Sequence, residues 1–331
     1  MNFPVVLLCL LFAGRLSAEA RTDTKPFVPE PIMPGGVVLS LYPADSPRLK
    51  KERIHEAERY NTTLKDKSKT KSVLNIHNPS IEVHLVGDKP ENTGAAVIVA
   101  PGGGHQILWV GPEGGDFVPF FKKLGVSTIV LRNRLRVDGY DPKTDAVNDA
   151  FQAIRLVRSH AAEWKLDPAK IGIMGFSAGA ELAAPAALFF EDFERNNSDS
   201  LDPLAKVSAR PDFVGVIYPG PTPFTRDPAT KIPRKVPPSF IASAGSGDRV
   251  HALWATDYFT AMLKAGVPNL EMHIYGNGGH GGGLTARGGI PFGTWTTRFV
   301  DWFNDLGFLE KPGKPTKAAA DVAAYARKPA R

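Results

Sequence analysis

The chain has 331 residues, 43% of them hydrophobic and 22% charged, with a formal net charge of +6. That balance excludes a disordered, collagen-like or disulfide-built chain, and a core of this size needs no covalent staple. The single cysteine, Cys9, excludes an internal disulfide, and scattered basic residues without interleaved aromatics exclude a nucleic-acid groove.

Residues 4–13 form an apolar run too short to span a bilayer, and Ala18-Glu19-Ala20 fits an A-x-A cleavage site. Residues 1–20 therefore read as a secretory signal peptide, although the n-region lacks Lys and Arg. The mature protein is expected to be secreted or periplasmic. No later stretch is apolar enough for membrane insertion. Residues 21–72 read as an N-terminal strap, Pro- and Lys-rich, with a short strand at 37–42 and a charged surface segment at 46–64. Asn61 and Asn196 fit the glycosylation pattern, which matters only in a host that glycosylates.

Ile81, Val83 and Leu85 alternate with Glu82 and His84, which predicts a half-buried strand with His84 facing solvent. Residues 95–100 are continuously apolar, as in a strand buried on both faces of a parallel sheet. A helix follows at 113–124, with Phe117, Phe120, Phe121 and Leu124 on one face, then a strand at 127–131. The clearest helix spans 145–164. Its apolar stripe of Val147, Ala150, Phe151, Ile154, Val157 and Ala161 leaves Arg155 and Arg158 outside. Residues 171–174 form a strand and 180–184 begin a helix. Residues 191–209 read as a polar loop or lid-like excursion. Strands at 213–218, 240–244 and 270–275 alternate with helices at 253–265 and 295–306. This alternation predicts a mostly parallel central sheet with helices on both faces, in one α/β domain over 73–310. Residues 311–331 read as a basic tail, loosely helical or flexible.

Between the strand at 171–174 and its helix lies Gly175-Phe176-Ser177-Ala178-Gly179. A serine at the apex of a strand-turn-helix is the context of a nucleophile elbow. An activated serine needs a base and a group that orients the base. His280 lies in a glycine loop after the 270–275 strand, where packing gives it little reason to be. Asp248 directly follows the 240–244 strand. Asp257, inside a helix, and Asp227, in a Pro-rich loop, are weaker candidates for the acid. The order Ser177, Asp248, His280 is that of the α/β-hydrolase fold. Ala178 and the Gly102-Gly103-Gly104 loop can supply backbone N–H groups to an oxyanion, each worth roughly 3–4 kcal/mol in the transition state. No phosphate-loop pattern, H-E-x-x-H or His/carboxylate cluster is legible, so no cofactor and no metal are expected.

These stretches resemble α/β-hydrolases related to acetyl xylan and feruloyl esterases, often labelled xylanase-B-like acetylesterases. The likeness runs from about residue 95 to 306. It rests on Ala100-Pro101-Gly102-Gly103-Gly104, Glu113-Gly114, Ile154-Arg155-Leu156-Val157-Arg158, the elbow, Asp248-Arg249-Val250, His273-Ile274-Tyr275 and Gly278-Gly279-His280-Gly281. The resemblance implies Ser177 as nucleophile, His280 as base and Asp248 as acid, with Gly103, Gly104 and Ala178 at the oxyanion hole. It also implies a small ester or acetylated carbohydrate, chiefly acetylated sugars or xylan, as substrate, and no cofactor. His105, Asn133, Ala180, Glu181 and Gly245-Ser246-Gly247 depart from the usual family residues and leave the acyl and alcohol preference open. His105, Trp109 and Trp254 are expected to line the pocket. The alternatives are a feruloyl or general carboxylesterase or lipase, a serine peptidase, and a non-catalytic carbohydrate binder of the same fold.

Overall fold

The computed structural model describes residues 25–63, 69–198, 201–284 and 291–328. The expected signal segment and part of the basic run at 65–71 lie outside them. In chain order the first half contains β1 (Val37–Ser40), β2 (Arg59–Thr62), β3 (Thr70–Leu74), β4 (Ser80–His84), β5 (Ala96–Ala100), α1 (Phe117–Lys122), β6 (Ser127–Arg132) and α2 (Val147–Ser159). The second half contains β7 (Ile171–Phe176), α3 (Ala180–Leu188), α4 (Phe190–Asn196), β8 (Val214–Ile217), α5 (Pro223–Arg226) and β9 (Ser239–Ser246). It ends with α6 (Arg249–Lys264), β10 (Glu271–Asn277), α7 (Trp295–Asp305) and α8 (Lys317–Ala326).

Eight strands form one sheet in the order β1-β4-β6-β5-β7-β8-β9-β10. From β6 to β10 all neighbours are parallel, and β4 and β1 close that edge as antiparallel strands. The two-residue period of β5 sorts its side chains between two cores. Ala96, Ile98 and Ala100 face residues of α2, α3 and α6. Val97 and Val99 face Phe117 and Phe121 of α1 and the aromatic face of α7, Trp295, Phe299, Trp302 and Phe303. The result is the sheet with helices on both faces that the resemblance implies.

Several expectations at the periphery are corrected. The segment at 46–64 is not merely surface: Leu49 and Ile54 are buried in the main core. Its end forms β2, which pairs with β3, so the boundary expected at residue 72 falls inside a strand. Strand β4 is not half-buried. Glu82 is fully buried because Arg132 reaches it at 2.6 Å, and His84 turns back to bond Glu82 at 2.8 Å instead of facing solvent. Arg155 is also buried, with its guanidinium 4.7 Å from the Phe193 ring centre. Phe193 belongs to α4, which occupies the start of the expected polar excursion and stacks on Phe151 at 4.6 Å. The tail from 311 carries α8, capped by the Thr316 hydroxyl and anchored by buried Ala318 and Val322. Among the described residues no helix is long and apolar enough to cross a membrane.

Candidate active site

Strand β7 ends at Phe176, and the chain enters α3 through Ser177-Ala178-Gly179. Ser177 has φ +53°, a left-handed conformation that costs a side-chain-bearing residue about 1–3 kcal/mol. The turn sits hard against β5: a Cβ on Gly179 would lie 2.0 Å from the Ala100 carbonyl oxygen. Only glycine permits that approach. The hydroxyl at the apex donates to His280 Nε2 at 2.8 Å. His280 Nδ1 donates to Asp248 Oδ2 at 2.9 Å. Asp248 lies just beyond β9, at the start of α6, and His280 just beyond β10. Three loops at the C-terminal edge of the parallel strands thus bring together residues far apart in the chain.

Asp248 is buried, which favours its neutral form, but hydrogen bonds from His251 and His280 outweigh burial and hold it below the usual carboxylate range. An ionised carboxylate only accepts, so the proton of His280 sits on Nδ1 and Nε2 is free to accept from the serine. A hydroxyl held this way can pass its proton to the imidazole as its oxygen attacks a carbonyl.

Gly103 and Gly104 line the same cleft as Ser177, and Ala178 follows the serine directly. Gly103 has φ +129°, and a Cβ there would lie 1.9 Å from the Ile107 carbonyl oxygen, so the loop is tight enough to demand glycine. Among the described residues, neither the Gly103 nor the Gly104 N–H has an internal acceptor. The loop is held from behind by Glu113, which the sequence reading treated as the start of a helix. It lies instead in a wide turn over Gly111–Gly115, before α1. Its buried carboxyl accepts from the Gly102 N–H at 2.7 Å and from the Tyr218 hydroxyl at 2.8 Å. The same Tyr218 hydroxyl accepts from Gly283 N–H at 3.1 Å. Burial pushes Glu113 up, while Tyr218, Gly102, His280 and Gly282 pull the other way. The two glycines that follow Glu113, poor helix formers, mark this turn in the sequence.

The cleft has a volume of about 550 Å³ and includes Trp109, Glu113, Ser177, His251 and His280. Trp109 lines it as expected, with Lys71 Nζ 5.0 Å from its ring centre. His105 does not. It is buried beside Glu181, at 3.4 Å, and Glu181 in turn pairs with Arg226. Trp254 does not line it either, and packs edge-on behind His251 at 5.1 Å. A larger hollow of about 690 Å³ lies between the end of α3 and the Pro-rich stretch 223–234 and contains none of Ser177, Asp248 or His280. The sequence reading passed over His251, one helical turn after Asp248. With it, a His/carboxylate cluster not legible in the sequence does form. Donor atoms of Asp248, His251 and His280 lie within 4.8 Å of one another. The two rings are stacked only 24° from parallel, so their lone pairs do not converge on a point as tetrahedral coordination requires.

The family model described as BD-FAE matches residues 122–243, a span that includes the elbow and stops short of Asp248 and His280. An acetylxylan esterase from Xylanibacter ruminicola is 27% identical over 290 residues, covering 79% of this chain and 55% of its own length. The endo-1,4-beta-xylanase B of Butyrivibrio fibrisolvens is 32% identical over 142 residues, 43% of this chain and 21% of that protein. The chain thus spans about half the length of the first of these relatives and a fifth of the second. The crystal structure of an acetyl ester-xyloside bifunctional hydrolase from Caldicellulosiruptor lactoaceticus superimposes with a TM-score of 0.64 at 25% identity, covering 82% of this chain and 97% of that one. With the sheet order and the position of the elbow, these likenesses show the α/β-hydrolase fold, and the chain is similar in sequence to part of an acetylxylan esterase.

Proposed function

We propose that the chain is a secreted serine esterase that removes acetyl groups from xylan-type polysaccharides or acetylated sugars. In this reading Ser177 attacks the ester carbonyl, His280 takes its proton at Nε2, and Asp248 holds the imidazolium. The N–H groups of Gly103, Gly104 and Ala178 receive the oxyanion. The alcohol leaves with the proton from His280. Water, deprotonated by the same imidazole, then releases the acid from the acyl-serine. The observation that carries the reading is the continuous hydrogen-bonded line Ser177–His280–Asp248 opening onto a cleft. The acetylated substrate is supported by the relatives, and export by the apolar run and cleavage site in residues 1–20.

The test compares acetylated xylan, 4-nitrophenyl acetate and methyl ferulate with the wild type and Ser177→Ala. Acetate release is expected from the first two and is lost in the variant, by a factor on the order of 10⁶. Faster turnover of methyl ferulate would replace the acetyl assignment with a feruloyl one. An unchanged rate in Ser177→Ala would remove the serine from the mechanism. N-terminal sequencing of exported protein, beginning at residue 21, checks the export step.

A further inference from the structure

Asp248 has two carboxylate oxygens, and the reading above uses one. The other is also occupied: His251 Nδ1 donates to Oδ1 at 2.5 Å. His251 stands three residues after Asp248, on the first turn of α6, so its side chain returns to the helix start. Its ring also stacks on His280, with centroids 3.8 Å apart and planes 24° from parallel. Trp254, one turn further on, meets the outer edge of His251 at 89°. The side chain of Asp248 is 4% exposed, whereas those of His251 and His280 are 18% and 37% exposed.

Two requirements of the chemistry meet at this ring. A buried carboxylate oxygen without a donor would be costly and free to rotate toward another partner. His251 supplies the donor, and so keeps Oδ2 turned to His280. The base must also hold its plane while it gains and loses a proton, yet a 37% exposed imidazole on a glycine loop has few contacts to fix it. The face of His251 is one, at van der Waals distance.

We propose that His251 is a positioning residue for ester hydrolysis, fixing Asp248 through Nδ1 and the His280 ring through its face. The proposal rests on the reading of Ser177, His280 and Asp248 as the reacting set. His251 is not assigned any proton transfer to substrate.

Three substitutions separate its two contacts. His251→Asn keeps a donor near the Nδ1 position and loses the ring. His251→Phe keeps the ring and loses the donor. His251→Val loses both. With 4-nitrophenyl acetate, kcat should fall about 100-fold in the Val variant, the scale of a misplaced catalytic group. It should fall about 10-fold in the Phe variant, with partial rescue in the Asn variant. KM should be unchanged within about twofold throughout. In proton NMR the wild type should show two far-downfield imidazole N–H resonances. The Phe variant should lose one and shift the other, a signature that a general loss of stability would not produce. Wild-type kcat in all three variants, or a His280 resonance unmoved in the Phe variant, would overturn the proposal. If a variant fails to fold, the Asn variant and the wild-type spectrum still decide: full activity without the ring, or a single downfield resonance in the wild type, counts against it. Ser177→Ala is assayed alongside. Activity surviving in Ser177→Ala defeats the reading of the site itself. Activity lost there but kept in every His251 variant defeats only the positioning role.

Discussion

Glu113 shows how much of the site depends on single side chains that touch no substrate atom in the proposed mechanism. Its two oxygens gather the Gly102 N–H from one loop and the Tyr218 hydroxyl from another, and Tyr218 reaches on to Gly283, three residues past His280. The Gly102–Gly104 loop and the loop that carries His280 are therefore tied to one carboxyl. Glu113→Ala would strand two buried donors, at about 1–3 kcal/mol each, and let both loops drift. A displacement of 1 Å costs roughly 100-fold in rate. The variant is expected to lose about that much kcat while remaining folded by circular dichroism. Glu113→Gln, which keeps one acceptor, should fall between. Equal kcat in wild type and Glu113→Ala would show that the loops hold their own shape.

At the scale of the element, β4 and β6 draw the N-terminal segment into the fold through buried charge. Arg132, fully buried on β6, donates to Glu58 at 3.0 Å, Glu82 at 2.6 Å and the Glu30 carbonyl at 2.6 Å. Glu82 accepts in addition from the N–H groups of Ile32 and Met33. Burial alone would raise the Glu82 carboxyl, but His84, the Ile32 N–H and Arg132 outweigh it and hold it below the ordinary range. A depressed carboxyl contributes stability that is present above its unfolded pKa, about 4.3, and is lost as pH falls through the folded value. Glu82→Gln should cost about 3 kcal/mol at pH 7, because Arg132 loses one of its two counter-charges. Urea unfolding should show that gap narrowing as pH falls below about 4. A gap constant from pH 7 to pH 3 would mean that the Glu82 charge does not tie the segment down.

Across the whole molecule, the parallel order from β6 to β10 places the loops after β7, β9 and β10 on one edge, and the candidate site is assembled there. The opposite end of the chain serves stability instead. Helix α8 buries Ala318 and Val322, and the Tyr325 hydroxyl reaches the Ala265 carbonyl at 3.3 Å. Nothing from α8 lines the cleft. Ending the chain at Pro315 should therefore lower the melting temperature by about 5 °C, the scale of one or two lost apolar burials. It should leave kcat on 4-nitrophenyl acetate unchanged. A changed kcat at a temperature where both forms are folded would connect the tail to the site.

Much of this was written in local pattern. Apolar runs marked β5 and β7, helical periodicity marked α2, and Ser177, Asp248 and His280 were legible because each sits in a loop immediately after a strand. A strand end and a glycine turn are properties of a few neighbouring residues, so the sequence by itself determined the sheet-and-helix alternation and the loop positions of Ser177, Asp248 and His280. Only the tertiary structure decided what stands behind them. Glu82 and Arg155 read as outward-facing charges and are buried, because the groups that neutralise or cover them come from other elements. His105 and Trp254 read as pocket residues and face elsewhere, and His251 went unread until its ring was seen against His280. Contacts of this kind join residues tens of positions apart, and burial is settled by what the rest of the chain lays over a residue.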